Sequence, residues 1–100
     1  MNASMDPAVV AANVYRPVFE NERVRVFQAR FAPGARAVMH EHPDHVIHTL
    51  TDVNLQLTVP GGKSDNVIAP AGQTMWMAAG RHEAVNAGSK EARILVVELK

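Results

Sequence analysis

The fold is decided by the stretch Val53-Asn-Leu-Gln-Leu-Thr-Val59, in which apolar and polar side chains alternate. Successive side chains of a β-strand point to opposite faces, so this stretch predicts a strand with one apolar face. Similar stretches lie on both sides, separated by turn residues such as Pro33-Gly34 and Pro70-Ala71-Gly72. The predicted strands cover 23–31, 37–42, 46–50, 53–59, a segment ending near 69, 74–77, 83–86 and 93–99. So many short strands in 100 residues predict an all-β sandwich or barrel.

Two further features of the pattern can be checked against the structure. In the strand 23–31, we expect Val24, Val26 and Ala29 to form the apolar face, with one break in the alternation. Helix evidence is confined to 6–13, where Asp6 can cap a turn that begins at Pro7. We therefore expect an N-terminal extension or short helix over 1–13, followed by a single β-barrel domain over 14–100.

Composition excludes several classes of function. Ten basic and ten acidic residues cancel, and the basic residues are scattered singly, so we expect no nucleic-acid partner. Cysteine is absent, which excludes disulfides, thiolate metal sites and a cysteine nucleophile. The apolar stretches are too short to span a membrane, and no signal peptide is visible. We expect a cytoplasmic protein without a membrane partner, or a periplasmic one from which a signal peptide has been removed.

Four of the five histidines lie between positions 40 and 48. His40 and His42 are two residues apart, so on a strand both rings point to the same face. Two neighbouring imidazoles are costly to bury without partners, and a transition metal ion would satisfy both. The turn at Pro43-Asp44 could bring His45 back towards the same point. The alternative is that this segment is simply a polar edge of the barrel.

Two motifs resemble those of the cupin family. Gly34-Ala-Arg-Ala-Val-Met-His40-Glu-His42 has a glycine, five residues and His-x-His, as in the first cupin motif. The stretch from Gly72 through Gly80 and His82 to Asn86 resembles the second. The resemblance covers about 14–100 and implies a double-stranded β-helix of jelly-roll type that often forms homodimers. It also implies that His40, His42 and His82 are metal ligands inside the barrel.

The sequence departs from the family where a ligand carboxylate is usual. Val46 or Ile47 stands at that spacing, whereas alignment on the following strand brings His45 to the carboxylate's place. We therefore predict a four-histidine site of His40, His42, His45 and His82. The competitor, His48, has the strand parity opposite to that of His45, and we expect it on the other face, near a dimer contact.

Losing the carboxylate changes the chemistry expected of the site. A divalent ion would keep its full +2 charge, which favours metals that bind nitrogen, and we expect copper, zinc, nickel, iron or manganese. Glu41 and Asp44 flank the histidines and are candidates to hydrogen-bond their free ring nitrogens. The strand parity of Glu41 points it away from His40 and His42, so we expect Glu41 at the surface. We expect Trp76 and its neighbouring methionines to pack in the barrel, and Asn86 to hold a turn or the backbone near His82.

Three functions are compatible with this sequence. The first is a small metal-dependent enzyme that binds a small molecule in the barrel lumen. The second is a non-catalytic module that binds a metal or a small molecule, and the third is a scaffold with vestigial histidines. An apolar lumen, with Leu55, Leu57 and Val59 inward, would suit a small hydrophobic substrate or a structural metal. Gln56 and Thr58 inward would favour an enzyme acting on polar substrates.

Overall fold

The computed structural model describes residues 5–100, and these residues form nine β-strands and one short helix. The prediction of an all-β fold is confirmed. No helix in this part of the chain is long and apolar enough to cross a membrane. The elements are α1 (Pro7–Val10), β1 (Tyr15–Glu20), β2 (Val24–Phe31), β3 (Arg36–His42), β4 (His45–Thr49), β5 (Val53–Thr58), β6 (Ser64–Ala69), β7 (Thr74–Met77), β8 (Gly80–Asn86) and β9 (Ala92–Leu99).

The strands form two antiparallel sheets that enclose the core between them. The first sheet has the order β1-β2-β9-β4-β7, and the second has the order β3-β8-β5-β6. Each central strand alternates between inward and outward side chains, as in β9, where Ile94 and Val96 are buried and Leu95 and Val97 are less so. Phe27 anchors the core and is fully buried. The apolar positions of the alternating pattern in β9 are therefore the side chains that fill the space between the two sheets.

Strand β2 turns its valines away from the core. Its register with β9 is unbroken over the whole strand, so side-chain parity follows from Phe27, which points inward with Ala29 and Phe31. The expectation for Ala29 was right, but Val24 and Val26 lie on the outer face of the sheet. The strand contains no bulge at the break in alternation. The apolar residues simply occupy both faces.

The N-terminal segment contributes a cap and a strand. The Asp6 side chain accepts a hydrogen bond from the backbone N–H of Ala8 at 2.9 Å, and Pro7 begins the helix, as predicted. Helix α1 packs against β1 and β3. Strand β1 was not predicted as a separate strand. The division into an extension and one domain stays a prediction.

Asn86 holds the loops at one end of the barrel. Its side-chain amide donates hydrogen bonds to the carbonyl oxygens of Phe31 at 3.1 Å and Lys90 at 2.8 Å. Its Oδ1 accepts from the N–H of Gly88 at 2.9 Å. The side chain is buried, so these bonds satisfy backbone groups that water cannot reach. The structural role predicted for Asn86 is therefore present.

Candidate metal centre

Two adjacent strands of the second sheet bring three histidines together. His40 of β3 is directly opposite His82 of β8 in the antiparallel register, and His42 follows on the same face of β3. One ring nitrogen from each of the three residues lies within 4.8 Å of the others. His40 is 0% exposed and His42 is 2% exposed. The group could bind a metal ion, as the His-x-His spacing predicts.

The first sheet contributes a fourth ring from the opposite side. His45 begins β4 and points inward with Ile47 and Thr49. Its ring centroid is 4.5 Å from that of His42, although His45 is not part of the group held within 4.8 Å. His48 lies on the outer face, where its Nδ1 is 2.8 Å from the Thr74 hydroxyl. The predicted orientations of His45 and His48 are observed, and the role of His45 as a ligand stays a prediction.

Hydrogen bonds fix which nitrogen of each ring faces the cluster. The Nδ1 atoms of His40 and His45 donate to the backbone carbonyls of Val38 at 2.6 Å and Pro43 at 2.7 Å. Since a carbonyl only accepts, these neutral rings carry their proton on Nδ1 and a lone pair on Nε2. The Nε2 of His40 is buried without a hydrogen-bond partner, the only such side-chain atom among residues 5–100. An orphaned, buried lone pair beside two other imidazoles fits a metal ligand.

The environment keeps these rings neutral. Burial lowers the pKa of His40 to about 4, and the neighbouring His42 and His45 act in the same direction. Burial lowers the pKa of His82 to about 3, again with the other histidines contributing. The pKa of His45 is also lowered, chiefly by burial. Neutral imidazole is the form that binds metals, so the cluster is prepared for a cation at neutral pH.

A buried carboxylate supports His42 and was not predicted from the sequence. The Nδ1 of His42 lies 2.6 Å from Oε2 of Glu98, which is only 2% exposed. Burial raises the pKa of Glu98, but hydrogen bonds from His42 and Arg25 outweigh it and leave the pKa lowered. Glu98 lies on the inward face of β9 with Ile94 and Val96. An acidic residue at a strand position where the pattern predicts a buried apolar one could have identified Glu98 from the sequence.

This carboxylate changes two expectations about the site. The site was expected to lack a negative charge, but Glu98 supplies one behind His42, with the Arg25 guanidinium as its counter-charge. Glu41 and Asp44 do not contact the ring nitrogens. Glu41 accepts from Arg81 at 2.8 Å, and Asp44 accepts from the N–H of Ala79 at 2.8 Å. The outward position expected for Glu41 from strand parity is observed. Asp44 was the wrong choice for an outer hydrogen-bonding group, because its carboxylate is taken up by the Ala79 N–H.

The lumen beside the histidines is apolar and small. Its cavity is about 30 Å³ in volume, roughly the volume of one water molecule. Leu55 and Leu57 contribute to its wall, while Gln56 points outward and Val59, beyond the end of β5, is 43% exposed. A groove of about 700 Å³, the outer groove, lies on the other side of His42. The outer groove is lined by charged residues that include Arg25, Glu41, Glu98 and Lys100.

One packing prediction for this region was wrong. Met75 and Met77 pack against the core, but Trp76 between them is 58% exposed. Strand β7 is an edge strand of the first sheet and pairs only with β4. Its central side chain therefore points away from the lumen by simple alternation.

Comparison with known proteins agrees with the fold and the histidine spacing. The chain is 37% identical over 83 residues to the β-alanine degradation protein BauB of Pseudomonas aeruginosa, covering 81% of this chain and 86% of that protein. It is 30% identical to a cupin domain of Bordetella pertussis, whose crystal structure superposes with a TM-score of 0.77 over 87% of this chain and 94% of that one. The chain belongs to the cupin family. The predicted double-stranded β-helix is thereby confirmed.

More distant cupin-like structures support the fold alone. The polyketide cyclase RemF of Streptomyces resistomycificus is 21% identical, with a TM-score of 0.62 over 85% of this cupin and 63% of that chain. No protein-family model matches the sequence.

Proposed function

We propose that this cupin is a metal-dependent enzyme that acts on a small molecule. The observation that carries the proposal is the unpartnered, buried Nε2 of His40, which faces His42 and His82 in the lumen. Structural histidines at such depth normally find a hydrogen-bond partner. The rings of Tyr15, His42 and His82 lie around His40, and its Nε2 bonds to none of them. His40, His42 and His82 would hold the metal, and His45 would supply the fourth nitrogen. A bound transition metal would supply Lewis-acid chemistry, or redox chemistry if it is iron or copper.

The chain's own residues prepare the site in two ways. The hydrogen bonds at Nδ1 of His40 and His45 hold these rings with their lone pairs turned inward. The apolar wall around Leu55 and Leu57 excludes bulk water from the histidine cluster, which strengthens electrostatic interactions between the rings and a bound cation.

The size of the lumen limits what can react there. A cavity of about 30 Å³ has no room for an intact amino acid. Substrates larger than a water molecule would therefore approach from the outer groove, where His42 forms part of both walls. The apolar lumen does not suit a polar substrate, whereas the outer groove carries charged side chains of both signs. Because BauB is described as a β-alanine degradation protein, we propose β-alanine and other short amino acids, bound in the outer groove, as the first substrates to test.

Metal analysis separates this proposal from its alternatives. Protein reconstituted with copper, zinc, nickel, iron or manganese should retain one of them near one ion per chain. His40→Ala and His45→Ala should lower that occupancy, while His48→Ala on the outer face should leave it unchanged. Metal-loaded protein is then incubated with the candidate amino acids and followed by NMR for loss of substrate. Bound metal without turnover would favour the binding module, and no bound metal would overturn the proposal.

We also propose that two copies of this cupin associate through the outer face of the first sheet. A row of apolar side chains crosses all five strands in register: Phe19, Val26, Val97, Val46 and Trp76. The aromatic residues at its two ends are more than half exposed. This face measures roughly 20 by 24 Å from strand spacing and rise, or ~480 Å² in projection, so the dimer we propose has an interface smaller than the ~800 Å² that each partner buries in a complex of standard size.

A second copy is the occupant that suits this row. The row carries no charge, so it offers nothing to a nucleic acid or to a charged peptide. The row has an aromatic residue at each end and valines at the centre. When two copies pack face to face about a two-fold axis that runs parallel to the strands at Val97, Phe19 of one copy lies on Trp76 of the other. Trp76→Glu should yield monomers in sedimentation experiments, while Ile68→Glu, at a more exposed apolar site on the second sheet, should not. A monomeric wild-type protein at micromolar concentration would overturn this proposal.

A further inference from the structure

The His42 ring is the first member of a chain of hydrogen bonds that leads away from the site and is buried at its His42–Glu98 end. Glu98 presents its two oxygens to different partners. Oε2 lies 2.6 Å from Nδ1 of His42, and Oε1 accepts from Nε and Nη2 of Arg25 at 3.1 and 2.9 Å. The remaining Nη1 of Arg25 donates to Oδ2 of Asp6 at 3.0 Å. The chain thus joins the histidine cluster to the residue that caps α1.

Each partner in this chain has only one possible role. Arginine only donates, and an ionised carboxylate only accepts. Oε1 of Glu98 is therefore committed to Arg25, and Oε2 requires a proton from Nδ1 of His42. A neutral His42 that donates from Nδ1 keeps its lone pair on Nε2. The Arg25 guanidinium is itself fixed, since it lies 4.6 Å over the Phe27 ring and is held by Asp6.

We infer that Glu98 is a positioning residue that sets the tautomer of His42, with Arg25 fixing which oxygen faces the ring. The inference deepens the proposed function, because the lone pair it preserves is the one that would bind the metal. Glu98 also provides the anionic group that the ligand set lacks, one hydrogen bond away from the cluster.

Glu98→Gln tests the inference because it keeps the shape of the side chain. The Arg25 donors still require an oxygen at the Oε1 position, so the new NH₂ group must take the Oε2 position. There it donates to Nδ1 of His42, which becomes an acceptor. The proton of the neutral ring moves to Nε2 and blocks the nitrogen that faces the cluster. We expect metal affinity to fall roughly 10- to 100-fold. Glu91→Gln serves as the control, because it removes an ion-paired carboxylate remote from the histidines. It should change neither the tautomer of His42 nor the metal affinity.

Two measurements separate this inference from the proposed function. The ¹⁵N NMR spectrum of the metal-free protein reports the tautomer of His42, and chelator competition reports metal affinity. We expect Nδ1–H in the wild type and in Glu91→Gln, and Nε2–H in Glu98→Gln. A wild-type His42 with Nε2–H, or a Glu98→Gln variant with the wild-type tautomer and affinity, would overturn the inference. A wild-type protein that shows Nδ1–H and binds no metal would support the positioning role and contradict only the proposed function.

Discussion

Acid should destabilise the metal-free protein, because the neutral rings of His40, which is buried, and His82, which is half-buried, are hard to protonate in the folded chain. Their pKa values in the folded chain are about 4 and about 3, compared with 6.5 when unfolded. Below pH 6.5 the unfolded chain binds protons that the native chain does not, so stability is full above that pH and falls as the pH drops towards the folded pKa values. At about pH 5 each ring has lost ~2 kcal/mol, or ~4 kcal/mol for the pair. His45 adds to this loss, since its pKa is also lowered.

Urea denaturation of chelator-treated protein measures this loss. The comparison is made between about pH 8 and about pH 5, where carboxyl groups with ordinary pKa values are still mostly ionised. The expected ~4 kcal/mol is a large part of the 5–15 kcal/mol typical of a small domain. His82→Gln should roughly halve the loss by removing one of the two rings, while His48→Gln should leave it intact because His48 lies on the outer face. Equal losses in the wild type and in both variants would refute the reasoning, as would a wild-type stability that does not change with pH.

Two further predictions concern polar residues that hold the loops of the barrel. Asn86→Ala removes three hydrogen bonds shorter than 3.2 Å at a buried site and should cost about 3 kcal/mol in urea denaturation. Asn66→Ala, at an exposed amide on β6, should cost no more than about 0.5 kcal/mol, and equal costs would contradict the role of burial. Thr49→Val keeps the shape of the side chain but leaves the carbonyl of Pro70 and the N–H of Gln73 without their partner. It should cost about 2 kcal/mol by thermal denaturation, and an unchanged melting temperature would show that water replaces the hydroxyl.

The sequence predicts the strands well because turn residues and alternation are local signals. The predicted strand 74–77 has the bounds of β7, and the strand 53–59 differs from β5 by a single residue. Local alternation fails where both faces of a strand carry apolar side chains. In β2, the break in alternation puts Val24 and Val26 out of phase with Ala29, and the local sequence does not show which of the two phases is buried. The long-range register with β9 decides which face is buried.

The histidine cluster was predictable for a similar reason. Strand parity puts His40 and His42 on one face, and the motif spacing supplies His82. The outer hydrogen-bonding group was not predictable by sequence proximity. Glu98 lies 56 positions from His42 along the chain, whereas the nearby Glu41 points away from the ring nitrogens. Which carboxylate supports a histidine depends on the neighbouring sheet, and a single sequence does not show how the sheets face each other.

The four rings are divided unequally between the two sheets, and this division has a mechanical consequence. His40, His42 and His82 belong to the second sheet, whereas His45 belongs to the first. An ion held by all four nitrogens would cross-link the two halves of the barrel, in a chain that has no cysteine to do so. Metal binding would then determine how often the two sheets separate locally. Amide hydrogen exchange along β3, β4 and β8 should slow together when the ion binds, because the two sheets would separate less often.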